Sequence, residues 1–188
     1  DRPVKACMTN IIGTCNILEA SRRNGIKRVI YSSTSSAYGL KNSIPLNERM
    51  HRDCLNPYSV TKVAGEDLCK MYYSLYGVET IIFRYFNVYG ERQPLKGQYA
   101  PVVGLFLEMK KSNKPMTVVG DGLQTRDYTY VGDVVNANIL AMNSINEDIL
   151  GETFNVGTGT NHSVLDLAKM IGGEYLHLPG RQGEARDT

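Results

Sequence analysis

The feature that most restricts this chain is a repeated alternation of two patterns. Short apolar, β-branched runs give way to longer stretches whose apolar residues recur at helical spacing. Arg28-Val-Ile-Tyr-Ser-Ser33 reads as a buried strand, as do Val78 to Phe83, Met116 to Val119 and Thr153 to Val156. Ahead of the first strand, Met8, Ile11, Ile12, Cys15 and Leu18 predict one helix from Val4 to Arg23, stopped at Asn24-Gly25. Asn56-Pro57 supplies an N-cap and a first-turn proline for a second helix closed by Gly77, with Val60, Val63, Ala64, Leu68, Met71 and Leu75 as its expected buried face. Further helices are expected over Val102 to Lys111, Asp133 to Met142, and from Ser163, which caps with Asp166, to Gly172. Ser33 to Arg52 and the glycine-rich Gly120 to Tyr130 read as loops. Strands that alternate with amphipathic helices pair in parallel and are covered on both faces, so the expected fold is α/β.

Composition removes other classes. Of 188 residues, 42% are hydrophobic and 21% charged, which suits a chain that buries a core. Lysine plus arginine is 21 against 19 acidic residues, a net of +2, which offers no basic surplus for a nucleic-acid partner. No apolar run approaches the roughly 18 residues of a membrane span, so no membrane partner is expected. Cys7, Cys15, Cys54 and Cys69 lie apart without a metal-type pair and read as free thiols, which predicts a reducing, cytoplasmic compartment. His51, His162 and His177 are scattered, and no metal is expected.

Three segments deliver polar groups toward one crevice. Tyr58 and Lys62 stand four residues apart on one helix, hence on one face. Lowering a tyrosine pKa from about 10 to about 7 takes roughly 4 kcal/mol of preference for the phenolate. A neighbouring ammonium and a cationic cofactor ring in a dry pocket supply that kind of stabilisation, making a general base near neutrality. Such a pair alone is a weak signal in a chain with 12 tyrosines. Ser32-Ser-Thr-Ser-Ser36 follows directly on a buried strand, at the carboxyl end where open α/β sheets place their sites. Arg84-Tyr-Phe-Asn87 ends the next strand in the same way.

Together these pieces carry a resemblance. Asn10-Ile-Ile-Gly-Thr-Cys-Asn16, Ser32-Ser-Thr-Ser-Ser-Ala-Tyr-Gly39, Asn56-Pro-Tyr58 with Lys62, and Arg84-Tyr-Phe-Asn-Val-Tyr-Gly90 resemble, in that order, the extended short-chain dehydrogenase/reductases. Gly120-Asp-Gly with Thr125-Arg-Asp-Tyr128, and Asn155-Val-Gly-Thr-Gly159, fit the same family. The likeness is greatest to its NAD-dependent UDP-sugar 4-epimerases. The resemblance implies a Rossmann-like doubly wound sheet with a smaller α/β substrate domain, NAD as cofactor, a UDP-sugar as substrate and a homodimer. It implies Tyr58 as catalytic base, Lys62 as the residue that lowers its pKa and holds the nicotinamide ribose, and Thr34 as the bridge to the sugar 4-hydroxyl. Asn10, Ser32, Ser33 and Tyr85 fall at cofactor-contact positions. Ser36 and Asn87 fall at substrate positions, Arg126 and Arg181 at the arginines that grip the diphosphate, and Thr188 at a pocket wall whose small size admits an acetamido group. Guanidinium forks suit paired phosphate oxygens.

The family's glycine-rich phosphate turn does not occur in this sequence, since Gly157-Thr-Gly159 follows a late strand. The expectation is therefore the central and C-terminal part of such an enzyme, lacking the first mononucleotide-binding half and inactive by itself. The NAD-binding part is expected over 1–92 with 131–157 returning to it, and the substrate part over 93–130 and 158–188. Two alternatives remain at this point. One is a 4,6-dehydratase or decarboxylase, which would hold an acidic residue after the serine run where Ser36-Ala37 stand. The other is a non-catalytic fragment.

Overall fold

The computed structural model describes residues 2–95 and 101–180. In chain order the helices are α1 (Pro3–Ala6), a π-helical segment (Cys7–Ile12), α2 (Gly13–Arg23), α3 (Pro57–Tyr76), α4 (Val102–Lys111), α5 (Val131–Asn143) and α6 (Val164–Ile171). The strands are β1 (Arg28–Thr34), β2 (Glu79–Tyr85), β3 (Asn87–Tyr89), β4 (Met116–Val119), β5 (Thr125–Tyr130), β6 (Thr153–Val156), β7 (Asn161–Ser163) and β8 (Tyr175–Leu178). The chain divides into two compact units, one of Asp1–Tyr85 with Val135–Val156, the other of Phe86–Val134 with Gly157–Thr188.

The first unit is built on a parallel sheet in the order β1-β2-β6. Parallel neighbours need a crossover, and α3 makes the one between β1 and β2. Side chains alternate across β2. Ile82 joins Leu18, Tyr31, Cys69, Tyr72 and Val78 on the face covered by α2 and α3. Ile81 and Phe83 join Ala141 on the other face, with Ile30, Ala137 and Phe154 packed against them. α3 begins with a capping box: Asn56 Oδ1 accepts the Ser59 N–H at 2.9 Å, and Ser59 Oγ accepts the Asn56 N–H at 3.3 Å. It ends at Gly77, whose φ of +68° is left-handed.

The second unit pairs β3 with β5 and β4 with β8 in parallel, and β5 with β7 antiparallel. Its own core is Val103, Phe106, Met116, Val118, Val164, Leu167 and Ala168. Ser163 caps α6, accepting the Asp166 N–H at 2.9 Å and donating its hydroxyl to the Asp166 carboxylate at 2.6 Å.

Three expectations are corrected. The helix over Val4 to Arg23 contains the π segment, and the Gly13 N–H reaches back five residues to Met8 O. The extra residue shifts the faces, so Met8 is 60% exposed while Leu18 is fully buried. On α3 the buried face is Ser59, Thr61, Gly65, Glu66, Cys69 and Tyr72, whereas Val60 and Leu75 are exposed. An apolar stripe marks a buried face only where the buried polar groups lack partners, and here they have them. Finally, Thr125 to Tyr130 is strand β5 rather than loop, since its threonines and tyrosines find partners on both sides, β3 and β7.

Candidate active site

The carboxyl ends of β1 and β2 lie side by side, with Ser33 opposite Arg84 and Thr34 opposite Tyr85. Ser32 is exposed and donates to the Tyr85 hydroxyl at 3.4 Å, which also accepts from Asn138 at 2.8 Å. After Thr34 the chain turns through one 3₁₀ turn, Ser35–Tyr38. Thr34 caps that turn: its buried Oγ1 accepts the Ser36 N–H at 3.1 Å, leaving the Ser36 side chain exposed.

α3 packs against β1, β2, the 3₁₀ turn and the π segment. Tyr58 is the second residue of α3 and half-exposed. Lys62 follows one turn later, partly withdrawn from water, with its ammonium 4.5 Å from the centre of the Tyr31 ring. Burial pulls the Lys62 pKa below the ordinary lysine value, against the Coulombic pull of Cys69 and Glu66. Asn10 sits in the π segment and donates from Nδ2 to Thr61 Oγ1 at 2.9 Å, and Thr61 in turn donates to the Tyr58 carbonyl at 2.9 Å. A two-bond relay thus ties Asn10 to the backbone of Tyr58. π segments occur often at functional sites, and this one places its side chain on the helix that carries Tyr58 and Lys62.

Sequence reasoning missed the anchor beneath these groups. Glu66 stands one further turn along α3 from Lys62 and is 1% exposed. Its carboxylate accepts the Ser33 hydroxyl at 2.5 Å and both Arg84 Nε at 2.9 Å and Arg84 Nη2 at 2.7 Å. The Arg84 guanidinium lies over the Tyr38 ring at 4.8 Å. Burial works against the arginine's charge, but the bonds to Glu66 and Tyr38 outweigh it and carry the Arg84 pKa upward. The Tyr38 hydroxyl donates at 2.6 Å to Asn155, which faces Arg84 across the sheet. The available signals were an arginine inside an apolar strand and a glutamate in register with Tyr58 and Lys62. Ser33 serves this anchor with its hydroxyl.

In the second unit Asn87 opens β3 opposite Tyr128 of β5. Arg126 lies in β5, donating from Nη1 to the Thr125 carbonyl at 2.7 Å. Its neighbour Asp127 is 3% exposed and holds the turn after β6. The Asp127 carboxylate accepts the N–H groups of Thr158 and Gly159, each at 2.8 Å, the Thr158 hydroxyl at 2.9 Å and the Thr129 hydroxyl at 3.2 Å. Two amides of the Gly-Thr-Gly turn, those of Thr158 and Gly159, are thereby occupied by an internal carboxyl group. Arg181 and Thr188 lie outside the described residues. Among the described residues, no helix is long and apolar enough to cross a membrane.

Comparisons with known proteins show what the chain is similar to. The profile of the NAD dependent epimerase/dehydratase family matches residues 1–157. A UDP-glucose 4-epimerase of Mycolicibacterium smegmatis is 37% identical across 99% of this chain and 60% of its own length. A UDP-N-acetyl-alpha-D-glucosaminuronate decarboxylase of Bacillus cytotoxicus is also 37% identical, across 95% of this chain and 57% of its own length. The crystal structure of the Thermotoga maritima UDP-glucose 4-epimerase with UDP-glucose superimposes with a TM-score of 0.92 at 36% identity, covering 99% of this chain and 61% of that one. The chain thus spans about three fifths of the length of these three proteins.

Proposed function

This chain belongs to the NAD dependent epimerase/dehydratase family, and from that premise we propose that it acts as a nucleotide-sugar 4-epimerase. The substrate is a UDP-hexose or UDP-N-acetylhexosamine, which passes through a transient 4-keto sugar. The family's cofactor is NAD. When bound, NAD supplies the acceptor and then the donor of hydride at the sugar's C4.

The observation that carries the reading is the meeting of two elements at the carboxyl end of the first unit's sheet. The turn bearing Thr34 and Ser36 packs against the helix whose first two turns carry Tyr58 and Lys62. In this reading Tyr58 takes the 4-hydroxyl proton and later returns it. The Lys62 ammonium favours the phenolate by its charge and holds the nicotinamide ribose. Thr34 relays the proton, and Ser36 contacts the sugar. The cofactor's ribose end suits the donors present: the Lys62 ammonium, the exposed Ser32 hydroxyl and Tyr85. Asn10 contributes by holding the first turn of α3, and Ser33 by holding Glu66. Asn87, Arg126 and Arg181 take the diphosphate side, and Thr188 leaves room for an acetamido group.

A dehydratase or decarboxylase, as among the relatives, calls for an acid after the serine run. Ser36, which is exposed, and Ala37, which is fully buried, stand at that position here, and this favours the epimerase reading. The test is to incubate the chain, extended to the full length of the relatives it matches, with NAD and either UDP-glucose or UDP-N-acetylglucosamine and to follow the sugar by NMR. The C4 epimer is expected from both. An accumulating 4-keto product identifies a dehydratase instead, and turnover of the plain sugar alone removes the role given to Thr188.

The same reading includes a homodimer through α2 and α3. Ile17 is 61% exposed, Leu75 68% and Tyr76 51%, whereas Tyr72 is in the core and unavailable to a partner. A monomeric mass by light scattering at micromolar concentration would remove the dimer.

A further inference from the structure

Lys62 is held at both ends by one side chain of β1. Tyr31 lies three residues before Thr34 and is 9% exposed. Its ring carries the Lys62 ammonium 4.5 Å from its centre, and its hydroxyl donates to the Lys62 backbone carbonyl at 3.2 Å. The ring reaches this position through a gap in α3. A Cβ at Gly65 would fall 2.1 Å from the Tyr31 hydroxyl oxygen and 2.5 Å from the ring carbon that bears it. No side chain fits there while Tyr31 keeps its place.

A lysine's four-carbon stem is flexible and samples many rotamers. An aromatic face beneath the ammonium selects those that keep Nζ in one place, and the attraction grows where water is excluded. Burial of Lys62 meets that condition. We propose that Tyr31 is a positioning residue for Lys62: the ring seats the ammonium, the hydroxyl pins the helix backbone, and Gly65 is the gap that admits the ring. The catalytic consequence rests on the reading of Lys62 as the partner of Tyr58. The placement of Lys62 does not.

The test separates the two. In the full chain, lysines are ¹³C-dimethylated, which preserves their charge, and the Lys62 signal is assigned by its disappearance in Lys62→Arg. A ring face beneath the amine moves that signal upfield of the other lysines. The shift is expected to persist in Tyr31→Phe, to vanish in Tyr31→Leu and to shrink in Gly65→Ala. Epimerisation is expected to lose about tenfold in kcat in Tyr31→Leu with little change in KM, and to recover in Tyr31→Phe. An unshifted Lys62 signal in the unaltered protein, or an equal shift in Tyr31→Leu, overturns the proposal. If Tyr31→Leu does not fold, Gly65→Ala decides: an unchanged signal and unchanged kcat there overturn it equally. If the shifts follow expectation while Lys62→Arg turns over sugar normally, Tyr31 does position Lys62 and the catalytic reading of Lys62 is what fails.

Discussion

Tyr58 is half-exposed at the start of α3, so removing its hydroxyl costs little packing. Tyr58→Phe is expected to lower kcat by about 10²–10⁴ while leaving the melting temperature in place. A rate within a few-fold of the unaltered protein would reject it as the base. Glu66 and Arg84 behave in the opposite way. Both are almost fully buried, and Nε and Nη2 of the guanidinium bond the two carboxylate oxygens. Glu66→Leu alone strands the guanidinium and is expected to cost about 3–5 kcal/mol in denaturant unfolding. Adding Arg84→Met should recover much of that loss, because no charge then remains buried. If the double variant is as unstable as the single one, the pair is not the reason. The same distinction explains what could be read beforehand. Tyr58 and Lys62 could be singled out from local spacing together with the motifs around them, whereas Glu66 could not, because its partner lies 18 residues away on another element.

Helices with strong ends were legible because end chemistry is local. Asn56-Pro57 and Gly77 bound α3, and Ser163, Asp166 and Gly172 bound α6, as read from the sequence. What lay hidden needed partners from elsewhere. The polar face of α3 is buried because Ser33, Arg84 and Asn10 come to meet it, and β5 is a strand because β3 and β7 flank it. Beside the apolar contact of Leu18 with Cys69 and Tyr72, α2 carries an ion cluster that reaches α3 through one bond. Glu19 accepts from Arg22 at 2.8 Å, Arg23 at 2.7 Å and the Tyr72 hydroxyl of α3 at 3.3 Å. The Arg22 and Arg23 bonds lower its carboxyl from the ordinary 4.5 to about 2. A depressed acid stabilises the folded state fully above its unfolded pKa and loses that contribution as pH falls through its folded pKa. The last two turns of α2 should therefore loosen between about pH 4.5 and 2, visible as amide shift changes around Glu19. Glu19→Gln should remove that step, and a persisting step would assign it to another group.

Each unit has its own apolar core, so each has its own point of failure. Phe106 is 1% exposed at the centre of the second unit, and Phe106→Ala is expected to cost about 3–5 kcal/mol there. Leu18→Ala, in the first unit's core, is expected to cost about 2–5 kcal/mol. Hydrogen exchange should show protection lost in α4, α6 and β4 for the first variant and in α2, α3 and β1 for the second. Loss spread evenly over the chain in both cases would mean that the two cores open as one.

The π segment bears on how this chain tolerates changes in length. A single-residue deletion in an ordinary α-helix turns everything beyond it by about 100° and puts the wrong face inward. Cys7–Ile12 already holds one residue more than the α-helical count. Removing one residue there lets the wide turn relax to an α turn, while α2 keeps Leu18 in the core. What goes is the bond from Asn10 to Thr61. A library of single-codon deletions across the first 23 residues should therefore show one window where folded protein survives without activity, and that window is Cys7–Ile12.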